Sequence, residues 1–249
     1  MKLDNTVTKN IELCFTPALL PYVNKNVKTA VVVVDVLRAT TAICTAFHNG
    51  VKEIIPVASY MEAKKYKSKG FLVAAERNGI KAKFADFGNS PFNFTPEKVK
   101  DKTIVYSTTN GTQIIQKTSR FASDVFIGAF INLNSLCEFL DKKNECDKIL
   151  IVCSGWKNRF NLEDSVCGGA ISETLLNSGN FSTACDSVIA AIELWKAAKP
   201  DLISFADKCA HRHRLKKLGL DDVIDYSFSI NLVKAVPVYK NNRIININV

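Results

Sequence analysis

A chain of 249 residues, 47% hydrophobic and 23% charged, holds enough apolar material for a sizeable core. No apolar run approaches the roughly 18 residues of a membrane span, and the opening MKLDNTVTKN lacks a signal core, so a cytoplasmic protein with no membrane partner is expected. The formal charge of +9 suits an anionic partner. Lys and Arg are dispersed, however, and no RNA-binding fingerprint, zinc finger or Arg-rich arm occurs, which argues for a small anion and against nucleic acid. The eight cysteines (14, 44, 137, 146, 153, 167, 185 and 209) include no Cys-x-x-Cys pair. They read as small buried apolar residues.

Apolar runs alternate with amphipathic stretches. TAVVVV at 29–34 is β-branched and too short for a helix, which predicts a buried strand. Residues 39–49 carry helical spacing and stop before Gly50. A strand at 53–57 is followed by a helix capped by Ser59 and running to Lys69, then by a strand at 71–75. Residues 76–96 hold Gly79, Gly88, Asn89, Pro91 and Pro96 and read as a long loop. Strands at 103–107, 124–127 and 148–153 alternate with helices at 110–119, 133–143 and 163–177. Helices are expected at 182–198 and 202–218, and a closing hairpin at 235–239 and 243–248, turning at Asn241-Asn242. Repeated strand–helix units imply an α/β fold: three layers, α/β/α, around a mainly parallel but mixed sheet. One domain over 1–249 is the simpler organisation, and a homodimer suits a compact enzyme of this size.

Ligands of open α/β sheets bind beyond the carboxyl ends of the strands. Here those ends are followed by Asp35 and Arg38, by Glu76 and Arg77, by Thr108-Thr109-Asn110-Gly111-Thr112, and by Cys153-Ser154-Gly155 with Glu163-Asp164 beyond. If they share one edge, they gather carboxylates, arginines and hydroxyls, which suits a divalent cation with an anionic ester. Each piece also has a plainer reading. Asp35 is a good helix cap, although Arg38 one turn on speaks for a site. Thr108 to Thr112 can be a cap or a phosphate nest, with Gly111 admitting an oxyanion. Glu163 suits a helix N-terminus, Asp164 is the better metal candidate by its company, and Gly88-Asn89-Ser90-Pro91 suits a turn. The basic cluster His211-Arg212-His213-Arg214 reads as a solvated helix face. No histidine falls near a predicted site, so a general acid is lacking.

Two phosphatase chemistries compete at this level. The aspartyl type of the haloacid dehalogenases needs an acid two positions after Asp35, where Leu37 stands. The cysteine type, Cys-x5-Arg, fits Cys153 and Arg159, but Val152 and Phe160 replace its usual neighbours. A binding module that senses a phosphorylated metabolite or a nucleotide without turning it over is the non-enzymatic alternative.

In order and spacing, Asp35-Val-Leu-Arg38-Ala-Thr-Thr41, Glu76-Arg77-Asn-Gly79, Gly88-Asn89-Ser90-Pro91, Thr108-Thr109-Asn110-Gly111-Thr112 and Cys153-Ser-Gly155 with Glu163-Asp164 resemble the motifs of the 2-phosphosulfolactate phosphatase family. The resemblance implies a Mg²⁺-dependent hydrolase that turns 2-phospho-3-sulfolactate into 3-sulfolactate and phosphate, a reaction associated with coenzyme M synthesis. Some of Asp35, Glu76 and Asp164, with waters, would then hold the metal, and either water or Asp35 itself would attack phosphorus. Arg38, Thr109 and Asn110 would act on the phosphoryl group, with Thr108, Gly111 and Thr112 around it. Arg77, Asn89 and Ser90 would bind the sulfonate or carboxylate, with Cys153 and Ser154 beside the substrate. Phosphatase action on another small anionic ester is the near alternative.

Overall fold

The computed structural model describes residues 9–247. In chain order the elements are β1 (Lys9–Cys14), β2 (Thr29–Val34), α1 (Ala39–His48), β3 (Glu53–Pro56), α2 (Tyr60–Ser68), β4 (Leu72–Arg77), β5 (Ile80–Lys81), α3 (Pro96–Val99), β6 (Thr103–Ser107) and α4 (Gly111–Thr118). There follow β7 (Asp124–Gly128), α5 (Leu133–Lys142), β8 (Lys148–Cys153), α6 (Leu162–Asn177), β9 (Phe181–Ser182), α7 (Asp186–Ala198), α8 (Leu202–Ala206), α9 (Ala210–Lys217), α10 (Ile224–Ser227), β10 (Pro237–Lys240) and β11 (Arg243–Asn246). The strands form one mixed, mostly parallel sheet with helices on both faces, a three-layer α/β/α fold. No described helix is long and apolar enough to cross a membrane.

The layering follows from period-two alternation in strands buried on both sides. Along β2, Ala30, Val32 and Val34 enter a core with Phe126, Ile149 and Ile151, closed by α5, α6 and α7. Val31 and Val33 enter the opposite core with Ile127 and Leu150, closed by α1 and α4. Every residue of β2 and β8 is buried, as their unbroken apolar runs predict.

Four expectations about the elements change, the first being that the loop expected at 76–96 holds the end of β4 and the short strand β5 paired to it. β1 is a strand missed in the sequence: Lys9 and Asn10 disguise the alternation of Ile11 and Leu13, which are buried between β8 and β9. The helix expected at 182–198 starts at Asp186, because Phe181 and Ser182 pair with β1. The helix expected at 202–218 is two, α8 and α9. The chain is extended at Cys209 (φ −77°, ψ 120°), whose fully buried side chain anchors the break. The closing hairpin turns at Asn241 and Asn242, both with positive φ (49° and 62°), the type I′ geometry that Asn tolerates. The end of its last predicted strand, Asn248, lies outside the described residues.

The sheet order is β5-β4-β6-β3-β11-β10-β7-β2-β8-β1-β9. β4, β6 and β3 form one parallel block, and β7, β2, β8, β1 and β9 another. The C-terminal hairpin separates them by three antiparallel joints, β3/β11, β11/β10 and β10/β7. The blocks therefore run nominally in opposite directions, and the expected single edge of strand ends does not exist. Twist brings the ends together instead. A rotation of roughly 20–25° per step accumulates to roughly 100–125° over the five steps from β6 to β2, offsetting much of the reversal. The residues after β2 and after β6 consequently touch.

Candidate active site

Asp35 follows β2 directly and is held in a ring of local bonds. Its N–H donates to Thr40 Oγ1 (3.0 Å), its carbonyl accepts from the Thr40 N–H (2.9 Å), and its Oδ1 accepts from the Ala39 N–H (3.4 Å). The capping role read from the sequence is thus present, but it engages Oδ1. Oδ2 lies beside Gly111, where an added Cβ would sit 3.1 Å from it and 2.9 Å from Ala39 Cβ. Gly111 is needed for the close approach of α4 to the start of α1. Burial pushes the Asp35 carboxyl up to about 6; His211 pulls it down, and Glu76 and Glu163 push it further up.

Glu76 is the penultimate residue of β4, buried, and organises two loops. Its Oε2 accepts from the Gly79 N–H (2.7 Å) and from Thr109 Oγ1 (3.2 Å), and its Oε1 from the Thr109 N–H (2.7 Å). Arg38 is 4% exposed and donates through Nη2 to the Gly79 carbonyl at 2.9 Å. Burial lowers its guanidinium from the usual range, and Glu76 is the largest opposing influence. Thr108 and Thr112 exchange bonds at the start of α4, each N–H reaching the other's Oγ1 at 3.2 Å. Asn89 accepts from the Tyr106 hydroxyl.

These groups converge on a narrow slot of about 20 Å³ lined by Asp35, Leu37, Arg38, Glu76, Gly79, Asn89, Thr109, Asn110, Trp156 and His211. The slot shares Arg38, Gly79 and Asn89 with an outer cleft of about 470 Å³, to which Ser90, Lys81 and Asp222 contribute. Six residues singled out in the sequence therefore meet: Asp35, Arg38, Glu76, Asn89, Thr109 and Asn110.

Other predicted residues stand elsewhere. Arg77 does not line the slot or the cleft. It donates to the Glu76 carbonyl (2.6 Å), to the Ser107 carbonyl (3.2 Å) and Oγ (3.0 Å), and to the Ala58 carbonyl (3.2 Å), and it stacks on Tyr60. It ties β4 to β6. Asp164 bridges two strand ends: Oδ1 accepts from the Val36 N–H and Oδ2 from the Gly155 N–H, each at 2.9 Å. Burial holds it well above the carboxylate range, and Glu163 and Asp35 add to that. Thr108, Gly111 and Thr112 sit behind the slot. Cys153 is fully buried, and burial raises its thiol far above the ordinary range, with Asp164 and Cys167 adding to the effect. The five residues from Gly155 to Arg159 close on themselves in a turn, with Trp156 and Arg159 exchanging backbone bonds at 3.0 Å, so no cradle forms between Cys153 and Arg159. Ser154 lines a separate neighbouring cavity.

The sequence reading missed His211, Trp156 and Leu37. His211 is the correction of most consequence: it was assigned to a solvated face. Its signal was the spacing to Leu215, the buried residue of α9 one turn later. Its Nδ1 is buried and lies 3.5 Å from Oε1 of Glu163, itself 1% exposed. Glu163 is therefore more than a helix-dipole acid. Arg214, on the same face of α9, stacks on Trp156, 4.4 Å from the ring centre.

Among the described residues no three His, Cys, Asp or Glu side chains form a ready metal cage. Mg²⁺ rarely uses one. It takes one or two carboxylates and keeps its waters, and Asp35 and Glu76 on one slot match that donor set.

The motif order agrees with comparisons to known proteins. A profile described as 2-phosphosulpholactate phosphatase matches residues 14–242. A protein of Caldanaerobacter subterraneus subsp. tengcongensis named probable 2-phosphosulfolactate phosphatase is 37% identical over 215 residues, covering 85% of this chain and 88% of its own. Proteins of the same name from Thermotoga maritima (37% identical; 84% and 88% covered) and Clostridium novyi (38%; 86% and 90%) match as broadly. The chain belongs to the 2-phosphosulpholactate phosphatase family.

Proposed function

We propose that the slot hydrolyses 2-phospho-3-sulfolactate to 3-sulfolactate and phosphate with Mg²⁺. The observation that carries the reading is the convergence of Asp35, Arg38, Glu76, Thr109 and His211 on one polar slot in a member of this family. In the reaction an oxygen from water bonds to phosphorus, the bond from phosphorus to the ester oxygen breaks, and that oxygen leaves with a proton. Charge grows on the phosphoryl oxygens and on the leaving oxygen, and catalysis of such transfers is mainly positioning and electrostatic stabilisation.

Arg38 faces the phosphoryl group with a buried guanidinium already oriented by the Gly79 carbonyl. Glu76 fixes Thr109 through both its amide and its hydroxyl, so the wall of the slot is set before substrate arrives. Asp35 and Glu76 would hold Mg²⁺, which when bound supplies polarisation of a phosphoryl oxygen. His211 fills the role for which the sequence offered no candidate. With Nδ1 toward Glu163, its Nε2 delivers the proton to the leaving oxygen.

The test is phosphate release from small phosphate esters, with Mg²⁺ and again with EDTA. Release that needs Mg²⁺ and favours the sulfonated ester supports the reading. EDTA-indifferent release would remove the metal, and binding without release from any ester would leave a binding module.

A further inference from the structure

We infer that the turn at 155–159 and α9 form a two-part gate over the slot, latched by Arg214 on Trp156, which opens to admit the phosphate ester. The inference takes its purpose from the hydrolase reading, but its geometry is independent of the reaction.

The closed slot is too small for its proposed task. It measures about 20 Å³, and a single water molecule already needs roughly 10–15 Å³. A phosphate ester brings phosphorus and four oxygens, and Mg²⁺ keeps waters of its own. The outer cleft does not relieve this, because Asp35, Glu76, Thr109 and His211 line the slot and not the cleft. One wall must therefore move.

Most of the wall is fixed. Asp35 is bonded to Ala39 and Thr40, Glu76 to Gly79 and Thr109, and Arg38 to Gly79. Trp156 and His211 arrive instead from two peripheral elements. The turn is a unit, since Trp156 and Arg159 exchange backbone bonds at 3.0 Å. The chain entering it is anchored by the Ser154 N–H on the Val34 carbonyl (2.7 Å) and by the Gly155 N–H on Asp164 Oδ2 (2.9 Å), which places the pivot at Gly155 (φ 57°). Beyond the pivot, the Lys157 N–H donates to Asn110 Oδ1 (3.4 Å) and Thr16 Oγ1 to the Asn158 carbonyl (2.7 Å). Both bonds are exposed and readily exchanged for bonds to water. In α9, Leu215 is the one buried residue among those described. Arg212 ties the helix to the segment just before it, through Asp207 (2.5 Å) and the Ile203 carbonyl (3.2 Å). Gly219, just past the helix, has φ of 67° and open space around it. An element with so little buried apolar contact lies at the low-stability end of a structure.

Two contacts close the gate, and both are incomplete. His211 Nδ1 stands 3.5 Å from Glu163 Oε1, and the Arg214 guanidinium lies 4.4 Å from the centre of the Trp156 ring. Among the described residues, His211 Nδ1, both carboxylate oxygens of Glu163, and Nε and Nη2 of Arg214 are buried without a hydrogen-bond partner. Opening returns the guanidinium to water and recovers the bonds that closure forfeits. This offsets the attraction of Arg214 for the ring and brings the closed and open states close in free energy, as a gate requires. Because Arg214 belongs to α9 and Trp156 to the turn, the two parts open together.

The experiment is amide hydrogen exchange on the ligand-free chain and on Arg214→Ala. Peptides covering 155–159 and 210–217 are both expected to exchange roughly 3- to 30-fold faster in the variant, with β2 and β8 unchanged. Acceleration confined to α9, acceleration in neither segment, or acceleration that includes β2 and β8 overturns the latch. A second measurement follows passage through the gate. The chain has two tryptophans, so Trp195→Phe leaves Trp156 as the single reporter of fluorescence. On rapid mixing with inorganic phosphate and Mg²⁺, the observed rate is expected to level off as phosphate rises, at the rate of opening. Adding Arg214→Ala should lift that ceiling by roughly 3- to 30-fold. A ceiling that the substitution leaves in place, or a rate that climbs in proportion to phosphate without one, overturns the gate. Hydrogen exchange needs no substrate, so coupled opening in a chain that hydrolyses no ester would leave the gate standing without the reaction.

Discussion

His211 Nδ1 and Glu163 Oε1 are 3.5 Å apart, and the carboxylate of that pair is buried while the imidazole lines the slot. In the proposed reaction the pair would orient a proton donor toward the leaving oxygen. Loss of a general acid costs roughly 10²- to 10⁴-fold in rate, and the loss depends on how badly the leaving group needs the proton. His211→Ala should reduce kcat by that order on 2-phospho-3-sulfolactate but far less on p-nitrophenyl phosphate, whose phenolate leaves unaided. Glu163→Gln should show the same split more weakly. Equal losses on both esters would mean that His211 and Glu163 serve only structure.

Asp35 makes stability depend on pH in an unusual direction. Burial raises its carboxyl from 3.8 to about 6. Because the folded value is the higher one, the stability linked to this group is fully present below pH 3.8 and is lost as pH rises through 6. Above that range the buried charge destabilises the fold by roughly 2–3 kcal/mol. Asp35→Asn should therefore raise the urea midpoint in EDTA at pH 8, change it little at about pH 3, and abolish turnover. No pH dependence in the difference between the two proteins would refute the account.

Arg38 and Arg77 should separate by assay. Arg38→Ala removes a buried guanidinium at the slot and should lose roughly 10²- to 10³-fold in kcat. Arg77→Ala removes the bonds that join β4 to β6 and should lose roughly 1.5–3 kcal/mol of stability, with KM almost unchanged. Chemical denaturation and initial rates on the same preparations check both. A large KM effect at Arg77 would return it to the substrate.

Cys153 carries a buried thiol held far above the range of a nucleophile. Cys153→Ala should keep kcat within roughly threefold of the original, since core changes of this size act mainly on stability. A loss of several orders in kcat, with the fold intact by circular dichroism, would restore the cysteine mechanism.

Reading the chain alone locates the parts of the site that depend on strand ends. The apolar runs at 29–34, 103–107 and 148–153 can only be buried strands, and the polar residues just beyond them must sit at an edge. Asp35, Arg38, Glu76, Thr109 and Asn110 were legible for that reason. Residue type did not reveal direction. Arg77 and Asp164 carry the right charge, but their side chains bond to the backbone that holds neighbouring strands together.

What the sequence by itself determined is the alternation of strand and helix, the closing hairpin turning at Asn241-Asn242, and the group of polar residues available to the site. These are local properties, set by side-chain period and by backbone preferences over a few residues. Tertiary structure alone decided that the C-terminal hairpin divides the sheet into two opposed blocks, and that twist rejoins their ends around Asp35 and Gly111. It also decided that the break at Cys209 aims His211 at a slot more than 130 residues from its partners in sequence order, Asp35 and Glu76. Such contacts arise from packing between distant elements, and no short window of sequence contains the information that sets them.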